Sequence, residues 1–528
     1  MSALCDELFE AILTARQRVY AVSGATPLEE VSAANLPFRL FVKREDLGPI
    51  KAYKWRGAYN RMAQLSPQER SRGIVAASAG NHAQGVALAA KLLGVHAKIF
   101  MPRSTPDVKQ LAVQRFGGEN VEIVFFGDAY DEAGRAAHEA AEREALTFVH
   151  PYDDLETMGG QGTLADECAL SGKGPFDVAF LQIGGGGLAA SCACWLRRQY
   201  PKMKIYGVEG THQASMKAAF EAGVPVDIGK ADIFCDGTAV RKAGNLTFPL
   251  CRELLDGIVL VTNDDVCRAI QVLWEAHRVL AETSGAMGVA AALKYARELN
   301  LAGKKVLTVL SGANVDFGTL GVITRNSLVG GAHRRYVRVS LPERPGTLLR
   351  LLTHALAGFN VLEFLYGKTD TKIAHFTVGV AASDAQFAVL SQRLSDEKID
   401  WLDVSGDADV FFHVIPFNAA LTKLPVFLQL DFYERTGALS DFLKKYLSPS
   451  ENICYFNYFY TAERVGRALI GIEFSDAAAR ERFLKNLPET GGEAFRSCRV
   501  IDGAVAARLA GTENGTAPDA TVPANAKI

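Results

Sequence analysis

Between residues 36 and 325 short β-rich runs alternate with longer helical ones, and this alternation limits the possible folds more than any other feature of the chain. The spacing predicts strands over 38–42, 73–77, 97–101, 121–126, 178–183, 204–209, 257–262 and 305–310. Helices fit the intervening 83–93, 106–116, 130–144, 187–200, 264–281 and 286–299. The strands are nearly continuous in apolar residues instead of alternating, which is the pattern of a largely parallel sheet covered on both faces by helices. In such α/β sheets ligands bind beyond the carboxyl ends of the strands. Those ends are where chemistry-bearing residues are expected.

The remaining totals set bounds on what the chain does. A length of 528 residues corresponds to about two to four domains. A formal charge of -2, from 57 basic and 59 acidic residues that are interspersed, gives no basic surface for nucleic acid or for an anionic membrane. The nine cysteines form no CxxC pair and no zinc-ligand cluster; Cys192 and Cys194 stand too close together for one. Reduced, mostly buried thiols in a cytoplasmic protein are expected. Residues 1–22 read as an amphipathic helix with acidic Asp6, Glu7 and Glu10, unlike a signal peptide, and no segment is apolar for long enough to span a bilayer.

After residue 325 the composition shifts. Residues 330–335 (Gly-Gly-Ala-His-Arg-Arg) are expected to be a linker, and an internal repeat follows it. Two alternating strands, one starting at Tyr336 and one at Val426, each run into Glu-Arg-x-Gly-x-Leu, at Glu343 to Leu348 and at Glu434 to Leu439, and then into an amphipathic helix. Both copies continue as strand, strand, helix, strand: 360–366, 373–380, 384–396 and 400–404, then 453–460, 467–474, 476–487 and 495–501. That is βαββαβ twice, the ferredoxin-like arrangement, over 336–412 and 425–503. Residues 511–528 are too polar and too rich in Pro, Gly and Ala to bury a core and are expected to be a disordered tail.

Three stretches lie where strands give way to helices or turns. Gly184-Gly185-Gly186-Gly187-Leu188 would turn successive N–H groups toward one anion at a helix N-terminus, and a phosphate suits it. Neither the Walker pattern nor the dinucleotide fingerprint is met, and a tight turn without a ligand is the alternative. Ser78-Ala79-Gly80-Asn81-His82 offers helix N-terminal amides to a carboxylate, and the Asn81 amide suits a ring hydroxyl. His82 is equally suited to a structural role and is assigned none. Ser311-Gly312-Ala313-Asn314 closes the last strand; Ser311 is placed either to face a ring nitrogen or to cap a turn. Lys54, in Lys51-Ala52-Tyr53-Lys54-Trp55-Arg56-Gly57-Ala58 just before a helix, is the candidate for an amine whose pKa is lowered by burial.

Together with Lys43-Arg44-Glu45-Asp46, Met158 to Thr163, Asp236 to Val240 and Glu282 to Ala286, these motifs occur in the order found in the threonine dehydratases, which the chain resembles over nearly its whole length. The resemblance implies a type II pyridoxal-phosphate fold over 1–329, made of two α/β subdomains with mostly parallel sheets, and two ACT-like regulatory domains after it. It implies pyridoxal 5'-phosphate in Schiff-base linkage to Lys54, with Asn81 on its 3-hydroxyl, Gly184 to Leu188 on its phosphate and Ser311 at its ring nitrogen. It further implies Ser78, Ala79, Gly80 and Asn81 at the substrate carboxylate. The expected reaction is deamination of L-threonine to 2-oxobutanoate and ammonia, slower with serine, inhibited by isoleucine with valine opposing, in a homotetramer. Ala52, Tyr53 and Trp55 depart from the family's usual residues. Related serine racemases carry a second serine where Ala79 stands and a metal site near Glu209. Ala79, Gln213 and Ser215 therefore argue against racemisation and against a metal.

Overall fold

The computed structural model describes residues 1–32, 36–326, 333–342, 350–351, 354–366, 372–411, 413, 423–433, 442, 445–447, 451–459, 465–488, 495–501 and 503–509. Two compact units divide the chain, Met1–Ser327 and Leu328–Ile528. Among the described residues no helix is long and apolar enough to cross a membrane.

The first unit holds two sheets. The larger is formed by β1 (Leu28–Glu30), β2 (Arg39–Arg44), β7 (Val178–Gln182), β8 (Lys204–Gly210), β9 (Gly257–Val261) and β10 (Lys305–Leu310), in the order β1-β2-β10-β7-β8-β9. Only β1 runs antiparallel. The smaller is all parallel, in the order β5-β4-β3-β6, from β3 (Ile74–Ala77), β4 (Ala97–Met101), β5 (Val121–Phe125) and β6 (Thr147–Phe148). Every residue of β3 and β7 is buried. This is why their sequences show no alternation: both faces meet helices.

Helix ends follow local capping chemistry. Ser2 caps Ala3–Val22, Asp154 caps Leu155–Leu170, and capping boxes open Pro67–Arg72 and Asn263–His277. The helix expected over 264–281 stops early, at His277, where Arg278 takes a left-handed conformation with φ 51°. The sequence pattern continued because residues 279–281 are apolar and pack into the core as a loop. Leu155–Leu170 contains the glycine-rich Met158 to Thr163 as helix interior. A Cβ on Gly160 would lie 2.3 Å from the Arg56 carbonyl, one on Gly159 2.9 Å from that of Ala11, and one on Gly162 2.5 Å from the Ile12 side chain. These glycines let the helix press against two others, and that closeness offsets their low helix propensity.

In the second unit, β11 (His333–Pro342), β12 (Asn360–Tyr366), β13 (Ile373–Ala382) and β14 (Asp400–Asp403) form an antiparallel sheet in the order β12-β13-β11-β14. The strands β15 (Val426–Tyr433), β16 (Asn452–Phe459), β17 (Val465–Glu473) and β18 (Ser497–Val500) repeat it as β16-β17-β15-β18. Even the register irregularity recurs, between Val361 and Glu363 and between Ile453 and Tyr455. The linker expected over 330–335 needs correcting: His333, Arg334 and Arg335 pair with Ala382, Ala381 and Val380 in the β11–β13 ladder. Successive side chains of the strand point to opposite faces, and Arg335 is accommodated by an ion pair with Asp384 and by the Phe387 ring beneath its guanidinium. The two Glu-Arg-x-Gly-x-Leu segments, residues 330–332 and the tail over 511–528 lie outside the described residues.

Candidate active site

The motifs singled out at strand ends are joined by a ring of direct contacts. Residues 51–53 lie along the turn after β10: Ala52 bridges Gly312, the Tyr53 amide donates to the Ser311 carbonyl (3.0 Å) and the Ala313 amide to that of Lys51 (2.9 Å). Lys54 is thereby fixed just ahead of the Trp55–Ala63 helix. Its Nζ donates to the Pro151 carbonyl at 2.9 Å. Burial lowers its pKa to about 8, partly countered by the charge of Glu282. Helix Asn81–Leu93 packs against this backbone so closely that a Cβ on Gly85 would lie 2.9 Å from Trp55 Cα.

Beneath Lys54 lies a buried ionic network. Arg56 donates to Glu45 from Nε (2.8 Å) and Nη2 (2.9 Å) and to Glu167 from Nη2 (3.0 Å), while Lys43 pairs with both carboxylates. Burial alone would raise the Glu45 pKa, but Arg56 and Lys43 outweigh it and hold it at about 2. The Lys43-Arg44-Glu45-Asp46 run is thus scaffolding under the lysine segment.

The glycine loop after β7 is walled from outside. A Cβ on Gly185 would meet the Tyr152 ring at 2.3 Å, and one on Gly186, at φ +102°, would meet Met216 and Thr247 at 2.7 Å. Thr247 Oγ1 donates to the Gly185 carbonyl at 2.5 Å, and Asp153 accepts from the amides of Asn245, Leu246 and Thr247. Residues 185–189 are buried, yet the amides of residues 184–189 find no acceptor among the described residues. Buried N–H groups are nearly always paired. Six unpaired donors at the start of helix Gly187–Gln199 fit a phosphate.

At the end of β3, Ser78 Oγ accepts from the Gly80 amide (3.2 Å), and a Cβ on Gly80 would meet nothing within 4 Å, so this turn borders open space. The amides of Ala79, Asn81, His82 and Ala83 likewise have no acceptor among the described residues. Asn81 Nδ2 donates to both Glu282 oxygens at 2.9 Å, and its Oδ1 accepts from Asn314 Nδ2 at 2.6 Å. Ser311 is buried, and its hydroxyl bonds to no described residue. His82 shares a 2.9 Å hydrogen bond with the Val149 carbonyl, and burial lowers its pKa to about 3. It is a neutral packing residue near neutral pH.

Sequence reasoning assigned no role to Glu282, Pro151, Tyr152 or Asn314. Glu282 is buried, and desolvation raises its pKa to about 7; its only signal in the sequence was membership of an ordered motif. Pro151 acts through its carbonyl, which no residue type reveals. Near Glu209, both carboxylate oxygens accept backbone amides, from Met216 (2.8 Å) and Lys217 (2.9 Å), and the Gln213 side chain is held by Asp232 and Thr238. Among the described residues no cluster of His, Cys, Asp or Glu could hold a metal.

Residues 20–312 match the family described as pyridoxal-phosphate dependent enzyme, and residues 325–414 and 419–497 match the C-terminal regulatory domain of threonine dehydratase. The chain is 37% identical over 476 residues to the L-threonine dehydratase biosynthetic IlvA of Pasteurella multocida, covering 89% of this chain and 91% of that protein. The chain belongs to the threonine dehydratase family. A chloroplastic biosynthetic threonine dehydratase of Arabidopsis thaliana is 34% identical across 88% of this chain and 78% of its own length. Among solved structures, the processed form of threonine deaminase isoform 2 from Solanum lycopersicum superposes with a TM-score of 0.58 at 39% identity, covering 61% of this chain and 94% of that one. A maize serine racemase superposes at 0.56 with 29% identity, covering 60% and 96%. The type II pyridoxal-phosphate fold is therefore common to dehydratases and racemases. What distinguishes them has to be read from the site. Pyridoxal phosphate is the family's cofactor, and the unpaired loop amides fit its phosphate.

Proposed function

We propose that this chain deaminates L-threonine to 2-oxobutanoate and ammonia, under feedback from an amino acid acting through the second unit. The observation that carries the reading is the joint presence of an amine with a lowered pKa and, in the same ring of contacts, a buried helix N-terminus whose amides lack acceptors. The regulatory-domain match and the full-length dehydratase relatives support the feedback.

When bound, pyridoxal phosphate supplies an electron sink for negative charge at the Cα of an amino acid. Lys54 would carry its aldehyde carbon, the amides of residues 184–189 its phosphate, Asn81 its ring hydroxyl and Ser311 its ring nitrogen. The chain's own groups do the remaining work. The amides of Ala79, Asn81 and His82 hold the substrate carboxylate at the open turn. Lys54 Nζ, largely neutral above pH 8, takes the proton from Cα. Ser311 offers a hydroxyl and no negative charge to the ring nitrogen, so that nitrogen is left without a counter-ion, which disfavours a long-lived carbanion and favours elimination of the β-hydroxyl. Ala79 presents only a methyl group where a racemase needs a second base, so L-threonine and, more slowly, L-serine are deaminated without net racemisation.

We assign isoleucine as the inhibitor and valine as its antagonist, a homotetramer as the assembly, and the cytoplasm as the location. The test measures 2-oxobutanoate from L-threonine with and without isoleucine, on wild type and Lys54→Ala, together with borohydride fixation and peptide mapping of the cofactor. Label on Lys54, loss of turnover in the variant and inhibition by isoleucine are expected. Label on another lysine, or D-serine formed from L-serine as fast as pyruvate, would overturn the assignment.

A further inference from the structure

Away from the active site, on the face of the first unit where the chain begins, two thiols from distant parts of the sequence lie against each other. Cys5 belongs to the first turn of Ala3–Val22 and Cys194 to helix Gly187–Gln199, and their sulfurs are 3.5 Å apart. The Cys194 thiol is also 3.3 Å from the Cys5 carbonyl. One turn after Cys194, Arg198 points a single guanidinium nitrogen, Nη1, at both sulfurs, 3.4 Å from Cys5 and 3.2 Å from Cys194, while its Nη2 pairs with Asp6. The other described cysteines are free, and none has a sulfur partner.

We propose that Cys5 and Cys194 are a peroxide-reactive dithiol that closes into a reversible disulfide. The mutual contact and the cation both favour one thiolate. The Cys194 hydrogen bond, followed by Arg198, holds the Cys5 thiol below its ordinary range against the opposing effect of burial. As the third residue of its helix, Cys5 also lies within the first turn, where the dipole stabilises an anion. Both sulfurs are buried, so a small oxidant reaches them only when the first turn of Ala3–Val22 opens locally. That turn is held by Ser2, whose amide donates to Glu253 at 2.7 Å, and Met1 Sδ lies 3.6 Å from the Cys5 sulfur.

The chemistry balances with hydrogen peroxide as the oxidant. The Cys5 thiolate attacks one peroxide oxygen, the O–O bond breaks, and hydroxide leaves and takes up a proton to become water, giving a sulfenic acid on Cys5. Cys194 then attacks the Cys5 sulfur, the S–S bond forms, and the sulfenic oxygen departs as water with the Cys194 proton. Two thiols lose two electrons, and one peroxide becomes two waters. The sulfurs need to close by only about 1.5 Å to reach disulfide length. The bond would tie the first helix to the one whose N-terminal turn forms the glycine loop, two turns before Cys194.

The test treats the cofactor-loaded full-length protein with dilute hydrogen peroxide at neutral pH, blocks free thiols by alkylation and maps the digested peptides by mass. The expected product is a Cys5–Cys194 peptide pair lighter by two hydrogens and resolved by dithiothreitol, with the thermal midpoint of the intact protein raised by a few degrees. In Cys194→Ser, a sulfenic-acid trap should label Cys5 instead, and in Arg198→Gln the rate of cross-linking should fall severalfold at pH 7. Recovery of Cys5 and Cys194 as alkylated free thiols while other cysteines oxidise, or pairing of either with a different cysteine, would overturn the proposal.

Discussion

Lys54, the nucleophile we propose, would owe that role to where its amine lies. Desolvation lowers its pKa to about 8, so the neutral fraction falls about tenfold per pH unit below that value. Cofactor-free protein should therefore capture pyridoxal phosphate at a rate that rises with pH up to about 8 and then levels, as followed by stopped-flow absorbance; a flat profile would mean that the amine is not the titrating group. The glycine loop has an equally local requirement. Gly185→Ala puts a methyl group 2.3 Å from the Tyr152 ring, and overpacking of this kind typically costs about 1–3 kcal/mol. Cofactor affinity measured by equilibrium dialysis should weaken at least tenfold, and adding Tyr152→Ala should return part of it, because the two changes share one contact.

The glycine-bearing helix Leu155–Leu170 makes the corresponding point for packing. Gly160→Ala would drive a Cβ to 2.3 Å from the Arg56 backbone carbonyl, which no rotamer change relieves; unfolding in urea should show a loss of about 2 kcal/mol or more, with Arg56 and its two carboxylates displaced together. Glu209, which caps helix Ser215–Ala222 through two amides, is pushed by burial to about 7. An acid whose folded pKa lies above its unfolded value binds extra protons when folded, so stability falls as pH rises from about 4.5 to 7 and is level above that. Glu209→Gln should remove part of this slope in thermal midpoints of the cofactor-free protein, and Glu282, raised to about 7 by burial, supplies a second part. How well such elements were legible depends on their neighbours. Strands β4 and β10 could be read to the residue because most of their residues are apolar and buried, whereas Leu155–Leu170 could not, since glycines that disfavour a helix in isolation favour this one once two partners press on it. Lys54, Asn81, Ser311 and the loop at Gly184 to Leu188 stood out as ordered motifs, and the roles we propose for them follow from that order. The Pro151 carbonyl and the Tyr152 ring did not stand out, because their part depends on chain folding alone.

Each of the two units has its own buried core, Phe180, Leu181 and their neighbours in the first, and Val337, Val378, Leu428 and Ile470 in the second. A chain ending at residue 327 should fold and turn over threonine yet lose its response to isoleucine; a truncated protein still inhibited by isoleucine would place the effector in the first unit. The repeat in the second unit was visible because two βαββαβ copies share sequence and even a strand irregularity, while the start of β11 was hidden by three basic residues at its head. The unpaired amides of the glycine turn carry a consequence for the protein's lifetime. Six amides there lack an acceptor among the described residues and five of the six residues are buried, so the phosphate of the vitamin-derived coenzyme, held there as we propose, would complete the architecture as well as the chemistry. When that coenzyme is scarce, newly made chains should be the ones that proteases find first.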